Sequence, residues 1–244
     1  MNKKIVPLLL GCLALLVGCK KEEAVTLSKE DQAMVWQESQ EKSFGKFDYL
    51  DVSEKEAQEV MKEKFEIPLP KMYTSSLPIL EETLQTNENT KEDPVYSVVA
   101  AGDSLTMKGV YSYKNKQDGK YYSYAIVELI YQYDKQKKIA WLNSQSIMIY
   151  NYPEDGKIYL NEPEEALEKL SALTKVGKLE DKMTTFKKQI DIPAEELQGQ
   201  EIPLENSLKQ AEKDKEVARN LGMIFGDNGT LSGIRVFVKD YTEK

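Results

Sequence analysis

The chain has 244 residues, with 33 lysines and arginines against 41 aspartates and glutamates, a formal net charge of −8, and no histidine. Without histidine there is no Ser-His-Asp or Cys-His catalysis, no His-ligated zinc and no neutral-pH imidazole shuttle. Carboxylate chemistry, Lys or Tyr bases and oxygen-ligated calcium or magnesium survive that exclusion. Nucleic-acid binding needs a basic patch, and none is visible.

Lys3 and Lys4 stand ahead of an apolar run from Ile5 to Val17, which closes on Leu16-Val17-Gly18-Cys19. A positive start, a short apolar core and a small residue beside a scissile bond are the parts of an export signal. The 13 residues of the run fall short of the roughly 20 that span a bilayer as a helix. Leu9-Leu10-Gly11-Cys12 has a similar form, but it would leave only Ile5 to Leu8 as apolar core.

These residues resemble the start of bacterial lipoprotein precursors cut by signal peptidase II, with cleavage between Gly18 and Cys19. The resemblance covers this segment alone. It implies removal of residues 1–18, a diacylglyceryl group on the Cys19 thiol, and anchoring at the outer face of the cell membrane. Residues 19–27 then form a lipidated tether, and 28–244 a single extracytoplasmic domain. Cys12 leaves with the signal and Cys19 is consumed as a thioether, so no disulfide, thiolate metal site or cysteine nucleophile is expected. Losing Lys3 and Lys4 takes the formal charge from −8 to −10. An acidic body is repelled by an anionic membrane, so the lipid must hold it there. Only Arg219 and Arg235 are arginines, a lysine bias like that of low-G+C Gram-positive genomes.

In chain order, Ser28 with Asp31 predicts a helix from about Lys29 to Lys42, and Ser53 with Glu56 a second, better-capped one. Pro68 and Pro70 end it. Pro78 is expected to start a short helix, and Asn87 to Asp93 reads as a polar turn. From Pro94 the residues favour strands: Val95–Ala101, Ser104–Lys114, Tyr121–Asp134 and Ile139–Tyr152, separated by polar turns. In the third, Ala125, Val127 and Leu129 point one way and Tyr124, Ile126 and Ile130 the other. Both faces are partly apolar, which places this strand at the centre of a sheet at least partly covered on both sides. Glu128 interrupts the second face, either as an exposed residue or as a buried acid with a partner.

Asn161 and Glu162-Pro163-Glu164 predict the next helix start. Leu179, Met183, Phe186 and Ile190 continue the helical pattern as a hairpin. Pro193 and Pro203 bracket a loop, and Leu204 to Leu221 reads as another helix. Met223–Gly226 and Leu231–Lys239 form a β-hairpin across Asp227-Asn228-Gly229. The fold these elements imply is α+β: an antiparallel meander of about four strands flanked by helices, plus a C-terminal β-hairpin.

Tyrosine is the unusual cluster, since eleven of 14 lie between Tyr96 and Tyr159. Tyr111 and Tyr113 share one face of their strand, and Tyr121, Tyr131 and Tyr133 share one face of the next. Ordinary β-propensity explains such residues, and so does an interface, where a rigid ring with a polar tip adds contact area. These five tyrosines form the candidate binding surface. The acidic pairs Glu81-Glu82, Glu154-Asp155, Glu164-Glu165, Glu180-Asp181 and Glu195-Glu196 point about 100° apart on a helix and suit caps or solvated faces. Asp227-Asn228-Gly229 lacks the alternating oxygens of a calcium loop. Gly102-Asp103-Ser104-Leu105 looks like the start of the lipase/esterase family with a Gly-Asp-Ser block, but that family needs a later histidine.

The function expected from these features is a non-enzymatic surface lipoprotein that binds another protein, with no cofactor and no metal. One concrete form is an immunity or inhibitor protein against a secreted toxin, an analogy of architecture only. The alternatives are an accessory subunit of a cell-envelope transport or secretion complex, and a carboxylate- or metal-dependent enzyme.

Overall fold

The computed structural model describes residues 27–152 and 156–244. The Gly18-Cys19 cleavage box and the Glu154-Asp155 pair lie outside the described residues. The described chain opens with one helical turn, α1 (Lys29–Gln32), whose Ser28 Oγ accepts from Asp31 N at 3.0 Å. The capping signal is real, but the helix predicted to Lys42 stops there. Leu142 N donates to Trp36 O at 2.9 Å, and Gln37–Ser39 becomes strand β1 along Ile139–Trp141. A four-residue turn has too few internal bonds to outweigh pairing with a sheet.

Strand β2 (Gly45–Val52) leads into α2 (Glu54–Glu59), where Ser53 and Glu56 form the expected capping box. That helix runs on as a π-helical turn, Val60–Lys64, and α3 (Lys71–Leu84) follows Pro70. Pro78 lies inside α3 and starts nothing. The polar turn before Pro94 contains a short strand, β3 (Asn89–Lys91), paired with the end of the second meander strand.

Four strands then run consecutively and antiparallel: β4 (Val95–Gly102), β5 (Ser104–Asn115), β6 (Tyr121–Asp134) and β7 (Ile139–Asn151). Helices α4 (Pro163–Leu173) and α5 (Leu179–Ile190) come next, with a single turn, α6 (Ala194–Leu197). Asn161 does not cap α4; its side-chain amide donates to the carbonyls of Glu82 and Gln85 at the end of α3. The chain returns through β8 (Glu201–Asn206), α7 (Leu208–Asp214), β9 (Val217–Phe225) and β10 (Leu231–Asp240).

This corrects the expected fold. One ten-stranded antiparallel sheet, in the order β2-β4-β5-β6-β7-β10-β9-β8 with β1 on β7 and β3 on β5, replaces a four-stranded meander flanked by helices. The C-terminal hairpin is no separate unit, because β10 pairs with β7 from Gly233↔Tyr150 to Lys239↔Ser144. The predicted helix over Leu204–Leu221 dissolves into β8, the short α7 and β9. In β9 eight of nine residues are buried, so it lacks the alternation that marks a half-wet strand.

The core lies on one face of the sheet. Val98, Leu105, Met107, Ala125, Val127, Leu129, Ile147, Ile149, Ile234 and Val236 point into it, under α2, α3, α4 and α5. A largely buried ion pair fixes α1 to the sheet: Arg219 Nη1 donates to Asp31 Oδ1 at 2.8 Å, and Arg219 Nε to Thr174 O at 2.7 Å. Among the described residues, no helix is long and apolar enough to cross a membrane.

Candidate functional site

Four of the five tyrosines expected on a binding surface are in the core. Tyr111, Tyr113, Tyr131 and Tyr133 are 6%, 1%, 0% and 6% exposed, and only Tyr121, at 46%, faces solvent. The reason is register. Tyr111 and Tyr113 alternate with half-buried neighbours on the same side as Leu105 and Met107, and Tyr131 and Tyr133 lie on the side of Val127 and Leu129. Tyr121 does not share their face, because a bulge at Tyr122 separates the pairs Tyr113↔Ser123 and Lys114↔Tyr121. Its hydroxyl donates to Glu92 Oε2 at 2.6 Å.

Tyr111 ends a buried line of hydroxyls. Tyr96 OH is 2.7 Å from Tyr73 OH and also bonded to Tyr111 OH, which donates to Glu54 Oε2 at 3.4 Å. The line ties α2 and α3 to β4 and β5 through polar atoms that need partners once buried. Burial raises the ionisation of Tyr73, holds that of Tyr96 and Tyr111 well above the ordinary tyrosine range, and pushes Tyr113 up to about 12. These residues hold the fold together and are out of reach of a partner.

The opposite face of the sheet is open over β4 to β7 and β10, and closed at β9, where Ala218 and Asn220 are buried. The register aligns Ser97, Lys108, Glu128, Ser146, Phe237 and Asn220 in one row across β4, β5, β6, β7, β10 and β9. The next row holds Val95, Val110, Ile126, Met148 and Arg235; on the other side lie Val99, Thr106, Ile130, Ser144 and Lys239. Except for exposed Val95 and buried Ser144 and Asn220, these side chains are half-buried. Val99, Val110, Ile126, Ile130, Met148 and Phe237 contribute nothing to the core cluster. Glu128 is thus a half-exposed residue opposite Lys108, in the middle of this surface.

At one end the open face becomes aromatic. Tyr124 stacks on Tyr150 with ring centroids 4.6 Å apart and on Tyr152 at 5.8 Å, and the Tyr124 and Tyr152 hydroxyls are 3.0 Å apart. Partial burial, with that hydrogen bond, raises the ionisation of Tyr124. Nearby, Arg235 Nη1 donates to Glu201 Oε1 at 2.6 Å. Stacked rings with polar tips thus lie beside the aliphatic side chains of the open face. Glu128 and Gln132 alternate with Ile126 and Ile130 on one side of β6, while the other side is apolar from Ala125 to Leu129. That asymmetry was the available signal for which face is wet.

Trp36 stands between two clefts at the other end of the sheet. One, of about 500 Å³, is walled by the strap Glu38–Phe44 and by Lys64–Ile67 below the π-helical turn. The other, of about 520 Å³, is bounded by Leu27, Val35, Gln37, Lys215, Thr242 and Glu243. Among the described residues, no group of three or more acidic side chains is placed to hold a metal ion. No protein-family model, curated protein or solved structure matches the chain.

Proposed function

We propose that this protein is a non-enzymatic binding module, held by lipid on Cys19 at the outer face of a cell membrane, that grips another protein through the open face of its sheet. The observation that carries the reading is the aliphatic and aromatic surface of Val110, Ile126, Ile130, Met148, Phe237 and the Tyr124–Tyr150–Tyr152 stack, which lies outside the core. Apolar side chains that group on one sheet face outside the core mark an interaction surface. Lys108 and Glu128 at its centre give both signs of charge with which to select that partner. An inhibitor that intercepts a secreted toxin at the membrane is the concrete form that combines such a face with a lipid tether.

The test is capture from native membranes with the lipidated chain and with the double variant Ile126→Asp/Met148→Asp. The expected result is one secreted protein that binds the purified chain in a defined ratio and is lost with the variant, while circular dichroism shows an unchanged fold. A partner that binds wild type and variant alike overturns the assignment of the face. A stable envelope complex from the same cell replaces the inhibitor form with the accessory-subunit reading.

A further inference from the structure

The chain has two tryptophans, and the fold brings both to one end of the sheet. Trp36 lies just before β1, and Trp141 pairs with Gln37 of β1. Both are half-buried, and Trp36 borders two clefts that open at this end. The β6–β7 turn places Lys135, Lys137 and Lys138 beside them, all exposed. The described chain also begins here, with Leu27 bordering the second cleft.

Charge sets this end apart from the rest of the domain. The segments that meet here are 27–46, 64–67, 102–104, 134–139, 213–217 and 239–244. Together they carry eleven basic and eleven acidic side chains, so they are neutral as a group. The net charge of −10 expected for the chain from Cys19 therefore belongs to the other surfaces. Anionic headgroups repel those surfaces and tolerate this one. Tryptophan, with an apolar ring and an N–H donor, favours the headgroup level of a bilayer.

Seven residues, 20–26, separate Cys19 from Leu27. Fully extended, that spacing reaches at most about 28 Å. A lipid on Cys19 thus keeps this end of the domain close to the membrane. We infer that the end of the sheet bearing Trp36, Trp141 and the Lys135–Lys138 turn rests on the lipid headgroup layer. The strands then stand away from the membrane, the Tyr124–Tyr150–Tyr152 stack is the distal tip, and the open face points sideways into the surrounding space. This inference rests on the lipid-anchor reading.

The two tryptophans make the test direct. The lipidated chain is reconstituted into vesicles of zwitterionic and anionic phospholipid, a fraction carrying a headgroup nitroxide, and tryptophan emission is recorded for Trp36→Phe and Trp141→Phe. Each variant leaves one tryptophan as the reporter. The expected result is that both lose most of their emission in the labelled vesicles and not in unlabelled ones. Lys135→Glu/Lys137→Glu/Lys138→Glu should restore much of it while the protein still floats with the vesicles. Flotation without quenching leaves the anchor in place and overturns the seating. A chain that does not float, with an unmodified Cys19 by mass spectrometry, removes the anchor and the seating with it.

Discussion

A side chain at Gly109 would collide with Tyr96: a Cβ there lies 2.5 Å from two ring carbons and 2.9 Å from the hydroxyl. The two residues are register partners on β5 and β4, and the ring of Tyr96 fills the space over Gly109 on the core face. This is how a fully buried tyrosine reaches the hydroxyls of Tyr73 and Tyr111 at once.

Gly109→Ala should therefore act through Tyr96, forcing the ring aside and breaking the hydroxyl line. Overpacking of this kind costs about 1–3 kcal/mol. Urea unfolding should show the midpoint fall with the slope unchanged. A neutral substitution would mean that the ring has room to move.

Tyr96→Phe keeps the ring and removes the middle hydroxyl, so Tyr73 and Tyr111 each lose a buried partner. Leaving such groups unsatisfied costs roughly 1–3 kcal/mol. Tyr73→Phe in the same background should cost less than it does alone, because the bond it would break is already gone. A double-mutant cycle checks the coupling.

Asp31→Ala leaves the Arg219 guanidinium buried without its carboxylate. Breaking a buried pair in this way costs about 3–5 kcal/mol; the low end applies here, since Arg219 keeps the carbonyls of Thr174 and Val217. The loss should appear as a lower melting temperature together with faster proteolysis before β1, where α1 is no longer held.

Alkaline pH should unfold the protein cooperatively. An exposed tyrosine ionises near 10, whereas burial raises Tyr73, Tyr96 and Tyr111, and takes Tyr113 to about 12. A raised folded-state value means that the stabilising contribution is complete below pH 10 and is lost as pH rises through 12. Tyrosinate absorbance should report the exposed rings first, and the core tyrosines only together with loss of the near-ultraviolet dichroism.

Replacing Tyr131 and Tyr133 with serine should destroy the fold, because both are core residues. Replacing Tyr124 and Tyr150 with serine should leave the fold and weaken partner binding. Thermal melts and a binding titration separate the two pairs.

Much of the meander was legible in the sequence. The β-branched and aromatic residues between two polar turns mark Tyr121–Asp134 to the residue. Three things were hidden. Helical spacing of Leu208, Ala211 and Leu221 masked β9, a strand buried along nearly its whole length. The Ser28 cap is a local signal and carries no information on where its helix ends, which pairing with β7 decides. Tyrosine clustering showed where the sheet would be, but tyrosine suits a core with hydroxyl partners as well as a wet face. The hydroxyl line of Tyr73, Tyr96 and Tyr111 joins residues from three elements, which no local pattern connects. The polar breaks at Glu128 and Gln132 were the better guide to the open face.

Site-specific photo-crosslinking tests the open-face reading most directly. A photoreactive residue is placed at Met148, in the middle of the open face, or at Lys188, exposed on α5 on the helical side. In native membranes, crosslinking from position 148 to one protein, with none from 188, is the predicted result. Equal crosslinking from both positions, or capture from 188 alone, would contradict it.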